Sequence, residues 1–282
     1  MKKVIVKLEN FSKKYNDKEV IKNIDLEVYE GEFLTLLGSS GCGKTTILRS
    51  ISGMDRPSTG RVYLDGVDVT DFDPPAREVN TIFQNYALFP LMTIEDNVAF
   101  GLKMKKVPKD EIKRRVNEML KLVHLEGYEK RKPKELSGGE QQRVSIVRGL
   151  INNPKVLLLD EPLSALDLKL RKKMQIELKQ LQRKFNITFI YVTHDQDEAL
   201  SMSDRIVVLK DGKIEQIGTP VEVYEKPKTL YVADFLGESN VFKGKIISKN
   251  GKRCVVSLKK GLNISINSDE FKVDDEVNVI VR

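Results

Sequence analysis

Residues 38–46 read GSSGCGKTT, and within them Gly38, Gly43, Lys44 and Thr45 fit the spacing GxxxxGKT. That pattern suits a nucleoside triphosphate. Backbone N–H groups of a loop built from Gly38, Ser39, Ser40, Gly41, Cys42 and Gly43 can cradle phosphates. Lys44 reaches the terminal ones, and Thr45, followed by Thr46 in the opening helical turn, offers a hydroxyl to Mg²⁺. A second stretch, LSGGEQQRVSIVRGL at 136–150, places Ser137, Gly138 and Gly139 at another helix start. Unpartnered N–H groups there also seek an anion. One chain thus carries two phosphate-seeking helix starts.

Carboxylates and polar side chains complete the candidate chemistry. VLLLDE at 156–161 puts Asp160 and Glu161 at the end of a buried strand, where open α/β sheets bind ligands. Asp160 is expected to organise Mg²⁺, and Glu161 to polarise an attacking water. Gln84 follows the short strand NTIFQ, where its amide can touch a metal-bound water and whatever docks nearby. His194 ends TFIYVTH at the same sheet edge and can report a terminal phosphate through a hydrogen bond. Tyr15, in NFSKKYND, is placed to stack on adenine. Cys42 lies at a helix N-terminus, which lowers a thiol pKa and predicts reactivity that bound nucleotide would block.

These residues must be held by elements with a repeated grammar. EFLTLLG (32–38) is a strand ending in glycine before the helical KTTILRSISGM, and KVLLLDE and ITFIYVTH likewise feed helical patterns. Strands that feed helices imply a parallel sheet with helices on its faces. Val4, Val6 and Leu8 alternate, as do Ile24, Leu26 and Val28, which predicts an N-terminal antiparallel pair. Ile112, Val116, Leu120 and Val123 line one helix face inside a strand-free segment, read as a helical subdomain over 86–152. Two hairpins are expected, at Asp211-Gly212 and Asn250-Gly251. From 240 to 282 the chain reads as strand and turn, a second all-β domain that is small for an independent core and stops inside the strand-like VNVIVR, so it is expected to be incomplete.

Composition narrows the class. The chain has 282 residues and a formal net charge of +7 with acidic residues interleaved. Apolar runs such as VLLL and IVVL fall far short of the roughly 20 residues that span a bilayer. Lys7 and Glu9 interrupt any secretory signal. Two cysteines make neither a disulfide framework nor a zinc cluster, and the expected compartment is the cytoplasm. The basic clusters KMKK, KRKPK and KLRKK read as solvated helix faces, and no nucleic-acid partner is expected.

Taken together, Tyr15, the loop from Gly38 to Thr45, Gln84, LSGGE at 136–140, the strand ending at Asp160 and Glu161, SALD at 164–167 and His194 resemble the ATP-binding subunits of ABC transporters. The resemblance spans residues 1 to about 235. It implies an α/β P-loop NTPase core over 1–239, with an antiparallel β subdomain and the inserted helical subdomain, followed by a partial OB-like β domain over 240–282. It implies ATP and Mg²⁺ as ligands and a head-to-tail pair with a second copy of the chain. Ser137, Gly138 and Gly139 would then meet the γ-phosphate of the partner's nucleotide, while Asp167 in SALD crosses the interface.

Two departures stand out. Glu140 replaces the commonest glutamine, and Gly149 replaces a helix former at a cost of about 0.5–1 kcal/mol. Residues 74–102 and 233–246 resemble the polyamine branch of the family, which implies spermidine and putrescine transport at the cytoplasmic face of the membrane, with two permease subunits and, indirectly, an extracytoplasmic solute-binding protein. Tyr86, Leu88, Phe89, Pro90 and Met92 are expected to receive the permease. Importers of sugar, sulfate or iron share the architecture. A soluble ABC ATPase acting on nucleic acid or the ribosome is the reading from another class, and a guanine-reading Asn-Lys-x-Asp segment is absent.

Overall fold

In the computed structural model, which describes residues 2–237, 240–258 and 262–281, the chain divides into two compact units, Met1–Val221 and Glu222–Arg282. The boundary expected at 239/240 adjoins Glu238 and Ser239, which lie outside the described residues.

The first unit opens with β1 (Val4–Tyr15) and β2 (Lys18–Tyr29), antiparallel, with Val6 opposite Val28 and Leu8 opposite Leu26. Next come β3 (Phe33–Gly38), α1 (Lys44–Ser52), β4 (Thr59–Leu64), β5 (Val67–Asp68) and β6 (Val79–Ile82). Three helices follow, α2 (Ile94–Met104), α3 (Lys109–Leu122) and α4 (Gly138–Leu150). The chain then runs through β7 (Val156–Asp160), α5 (Leu168–Phe185), β8 (Thr188–Thr193), α6 (Gln196–Met202), β9 (Arg205–Lys210) and β10 (Lys213–Gly218). Two sheets result. One is antiparallel in the order β2-β1-β4-β5. The other runs β10-β9-β3-β8-β7-β6, parallel except for the outer β10.

Apolar residues on both faces explain why the second sheet is central. β3 and β8 are buried throughout. Side chains alternate across a strand, so Leu34, Leu36, Leu158, Ile190 and Val192 enter one core with α1 and the antiparallel sheet. Phe33, Leu157, Leu159, Phe189 and Tyr191 enter another with Met174, Leu178 and Leu181 of α5. The helices α2 to α4 add a third core in which Ile112, Val116 and Leu120 face Val144 and Val147. Gly149 has a structural reason. A Cβ there would lie 3.0 Å from Leu157 Cδ1, so the missing side chain lets α4 pack close to β7. Asn80 Nδ2 donates to its carbonyl at 2.6 Å.

Arg77 ties the segment leading to β6 onto α1. It is 5% exposed and faces carbonyls only, donating to Ser50 O at 2.7 Å, Ile51 O at 2.9 Å, Phe72 O at 3.0 Å and Thr70 O at 3.2 Å. The first two belong to the last turn of α1, where a cation is favoured by the helix dipole. Burial lowers the guanidinium pKa from its ordinary value.

In the second unit, α7 (Pro220–Glu225) crosses the division and α8 (Leu230–Phe235) is capped by Thr229. The strands β11 (Asn240–Asn250), β12 (Arg253–Leu258), β13 (Asn263–Asn267) and β14 (Glu276–Val281) form an antiparallel sheet in the order β13-β12-β11-β14. Its core is small: Ile246, Cys254, Val256, Leu258 and Val277. The β9-β10 turn uses Asp211 and Gly212, both at positive φ, as expected. The β11-β12 turn does not use Asn250-Gly251. Asn250 pairs with Arg253, so the two loop residues are Gly251 and Lys252, one position later. Only Gly251 of these has positive φ, which suits a turn with glycine first.

Arg77→Met should lower unfolding free energy by about 3 kcal/mol, because two buried and two part-buried carbonyls lose their donor. Urea denaturation measures this, and an unchanged midpoint would refute the clasp.

Candidate active site at the edge of the parallel sheet

Strand register assembles the site. Leu37 of β3 pairs with Thr193 of β8, and Asp160 of β7 pairs with Val192, so Gly38, Asp160 and His194 reach the same edge. From Gly38 the chain turns through a loop into α1. Gly43, which caps α1, has φ 105°, and a Cβ there would lie 2.2 Å from Ile21 Cδ1. Both facts demand glycine. Lys44 is 5% exposed, and its ammonium donates to Gly38 O at 2.8 Å and Ser39 O at 3.0 Å, so the loop is wrapped around a positive charge. Ser39, Ser40 and Gly41 are exposed on the outer rim, with Thr45 exposed and Thr46 half-buried behind them.

Cys42 corrects an expectation. It is buried, and burial pushes its thiol up, outweighing the opposing pull of Lys44. The helix start was legible from the sequence, but the desolvation was not.

Thr45 Oγ1 donates to Asp160 Oδ1 at 3.0 Å. Burial pushes the Asp160 carboxyl up, the Thr45 hydroxyl pulls it back, and the charge of Glu161 adds to the rise. A half-buried carboxylate beside a hydroxyl is the oxygen donor set a hard cation takes alongside phosphates, so these residues fit Mg²⁺. Among the described residues no group of three or more His, Cys, Asp or Glu could hold a metal unaided.

Glu161 has φ 45°, a conformation that L-residues avoid, held by its N–H donating to Val192 O at 3.0 Å. The turn directs its carboxylate to His194, whose Nδ1 lies 3.2 Å from Glu161 Oε2. Gln84 reaches elsewhere: its Nε2 donates to Ser164 Oγ at 3.3 Å, and Ser164 Oγ donates to Glu161 O at 2.9 Å. Tyr15 is 41% exposed, with its hydroxyl donating to Asp55 at 2.7 Å and Lys13 Nζ 4.9 Å from its ring centre.

Ser137 caps α4 in a closed box. Its N–H and hydroxyl both donate to Glu140 Oε2 at 2.7 Å, and Tyr128 OH donates to Glu140 Oε1 at 3.0 Å. These bonds hold the Glu140 carboxyl below its ordinary pKa, the Ser137 hydroxyl contributing most. A Cβ on Gly139 would lie 2.7 Å from Leu170 Cδ2, so α4 meets the start of α5 closely, while a Cβ on Gly138 would be 3.9 Å from Leu166. Asp167 caps α5 by accepting from Leu170 N at 3.0 Å. No hydrogen bond among the described residues joins 137–140 to the loop at 38–46.

Sequence reasoning missed Arg77 and Arg171, and gave Ser164 only as part of SALD. Arg171 lies in KLRKK, read as a solvated face, yet its side chain is 25% exposed and ion-paired with Asp195 at 3.0 Å. Tyr86 is buried at 7% exposure, and Leu88 packs on the helical core. Leu91, at 86%, is instead the apolar residue that this segment presents to solvent.

The family model described as ABC transporter matches residues 21–164. The spermidine/putrescine import ATP-binding protein PotA of Oleidesulfovibrio alaskensis is 57% identical over 279 residues, covering 99% of this chain and 75% of that protein. This chain belongs to the ABC transporter family. PotA of Vibrio cholerae is 55% identical over 281 residues, covering 99% and 74%. Among solved structures, the dimeric ATP-binding cassette MJ0796 bound to ADP and Pi superposes with a TM-score of 0.69 at 37% identity, covering 77% of this chain and 99% of that one. The cassette cbiO1 from Clostridium perfringens, part of the transporter complex cbiONQ, gives 0.74 at 31%, covering 79% and 92%. The α/β cassette with its antiparallel β subdomain is therefore the fold of this family.

Native protein should resist iodoacetamide at pH 8 at both cysteines, since Cys42 and Cys254 are buried, and should expose two thiols when unfolded. Stoichiometric labelling of native Cys42 would contradict the burial.

Proposed function

We propose that this cassette is the ATP-hydrolysing subunit of a polyamine importer and works as a head-to-tail pair. The observation that carries the catalytic reading is Glu161, held in a strained conformation with its carboxylate against His194 and one residue from the Asp160–Thr45 pair. Lys44 and the N–H groups of residues 38–46 bind the phosphates. Glu161 accepts the proton of the attacking water, and His194 holds that carboxylate and meets the terminal phosphate. Thr45 and Asp160 would hold Mg²⁺, with Gln84 joining them on leaving Ser164, and the bound ion would supply charge neutralisation at the phosphates.

Ser137, Gly138 and Gly139 serve the nucleotide of the second copy, with Asp167 near the junction. Their pre-formed cap and the unpaired N–H groups of α4 favour an anion arriving from outside the chain. Tyr15 stacks on adenine after its hydroxyl is anchored on Asp55.

The solute reading rests on the relatives' names. Spermidine and putrescine enter through two permease subunits supplied by a solute-binding protein, and the cassette sits at the cytoplasmic face of the membrane. No helix among the described residues is long and apolar enough to cross it. Leu91 and Pro90, with the half-buried Phe89, form the docking patch for the permease. Sugar, sulfate or iron is the alternative cargo.

Glu161→Gln should retain ATP binding and lose turnover by about 100-fold or more. Near-normal hydrolysis would remove Glu161 from its role. Deleting the gene should abolish uptake of radiolabelled spermidine. Intact spermidine uptake with loss of sulfate, sugar or iron uptake would move the assignment to that cargo.

A further inference from the structure

Arg171, on the first turn of α5, bridges two segments that the proposed function uses separately. Its Nη2 donates to the carbonyl of Leu166 at 3.1 Å, immediately before Asp167. Its Nη1 donates to Asp195 Oδ2 at 3.0 Å, immediately after His194. The other Asp195 oxygen accepts from Glu198 N at 3.1 Å and caps α6, so Asp195 cannot shift without moving either that helix start or the guanidinium.

The third donor is unspent. Arg171 Nε is buried without a hydrogen-bond partner and lies 3.9 Å from Glu198 Oε1. Glu198 is itself 3% exposed, and its other oxygen accepts from Tyr191 OH and Thr193 Oγ1, both at 2.7 Å. Buried donors left unmade are costly. A rotation that brought Nε onto Glu198 would give this donor a partner and would shift the rigid fork at the Leu166 carbonyl. Coupling between sites requires an element of that kind, with two discrete positions.

We propose that Arg171 is a positioning residue that couples His194, through Asp195, to the 164–167 segment, so that the state of the terminal phosphate in one site is passed to the junction with the second copy. The coupling rests on the ATPase reading above. It runs inside one chain from the strand end at Thr193 to the helix start at Leu168. Among the described residues Arg171 makes no hydrogen bond or ion pair to the phosphate loop or to Ser137, so nucleotide affinity should be independent of it.

The test is a double-mutant cycle on the purified full chain with Arg171→Gln, Asp195→Asn and the pair, reading kcat, the KM for ATP and the binding of a fluorescent ATP analogue. Asn at 195 still caps α6. Each single variant should lower kcat about tenfold, and the pair should lower it no further than either alone. KM and analogue binding should stay within about twofold, a split that general loss of structure would not give. Arg171→Lys should fail to rescue, because Asp195 and the Leu166 carbonyl are met by two separate nitrogens of one planar fork, a spacing that one ammonium does not reproduce. It also serves as the second variant should Arg171→Gln not fold.

Wild-type kcat in Arg171→Lys, losses that multiply in the pair, or a fall in analogue binding matching the fall in kcat would overturn the coupling. A wild-type chain that binds the analogue but hydrolyses no ATP would instead sink the ATPase reading itself.

Discussion

Backbone pairing among β3, β8 and β7 is the constraint on which the chemistry depends. Because Leu37 sits opposite Thr193 and Val192 opposite Asp160, three chain segments distant in sequence end at one sheet edge. A slip of one residue in either pairing would turn every side chain on that strand to the opposite face. It would exchange Leu158 for Leu157 and Leu159 between the two cores and carry Asp160 away from Thr45. The apolar strands therefore specify the site as much as they specify the fold.

Charge at that edge is held in two opposite ways, by Lys44 and by Asp160. Lys44 is solvated by the loop's own carbonyls, which hold it ready without a carboxylate partner to compete for it. Asp160 is the converse, a half-buried carboxylate with one hydroxyl beside it, and a bound cation would relieve its raised pKa. Glu140 closes the box around Ser137 without blocking the remaining N–H groups of α4. The departure from glutamine preserves the cap, since a carboxylate accepts both of the bonds that Ser137 donates.

Local patterns were the legible part. The strand-loop-helix around Gly38–Thr45, the helix start at Ser137 and the alternation in β1 and β2 depend on residues close in sequence, and each lies where spacing places it. Contacts that need distant partners were not legible. Nothing in PPAREV shows that Arg77 will find four carbonyls from α1 and the loop before it, and nothing in KLRKK separates the inward Arg171 from its exposed lysine neighbours. Cys42 shows two principles in conflict: a helix N-terminus favours the thiolate, but burial against the loop dominates. The turn at Gly251-Lys252 shows the reach of a dipeptide signal, which finds the hairpin and misses its register by one residue.

The central claim is that a working site takes its phosphate loop from one chain and its Ser137 helix from another. Mixing Lys44→Ala with Ser137→Arg subunits tests it most directly by steady-state ATP hydrolysis. Each variant alone lacks one half of both sites and should be inactive. The equimolar mixture should recover about a quarter of wild-type turnover, since half of the randomly assorted pairs keep one complete site. Wild-type hydrolysis by Ser137→Arg alone, or no recovery in the mixture at any ratio, would contradict it.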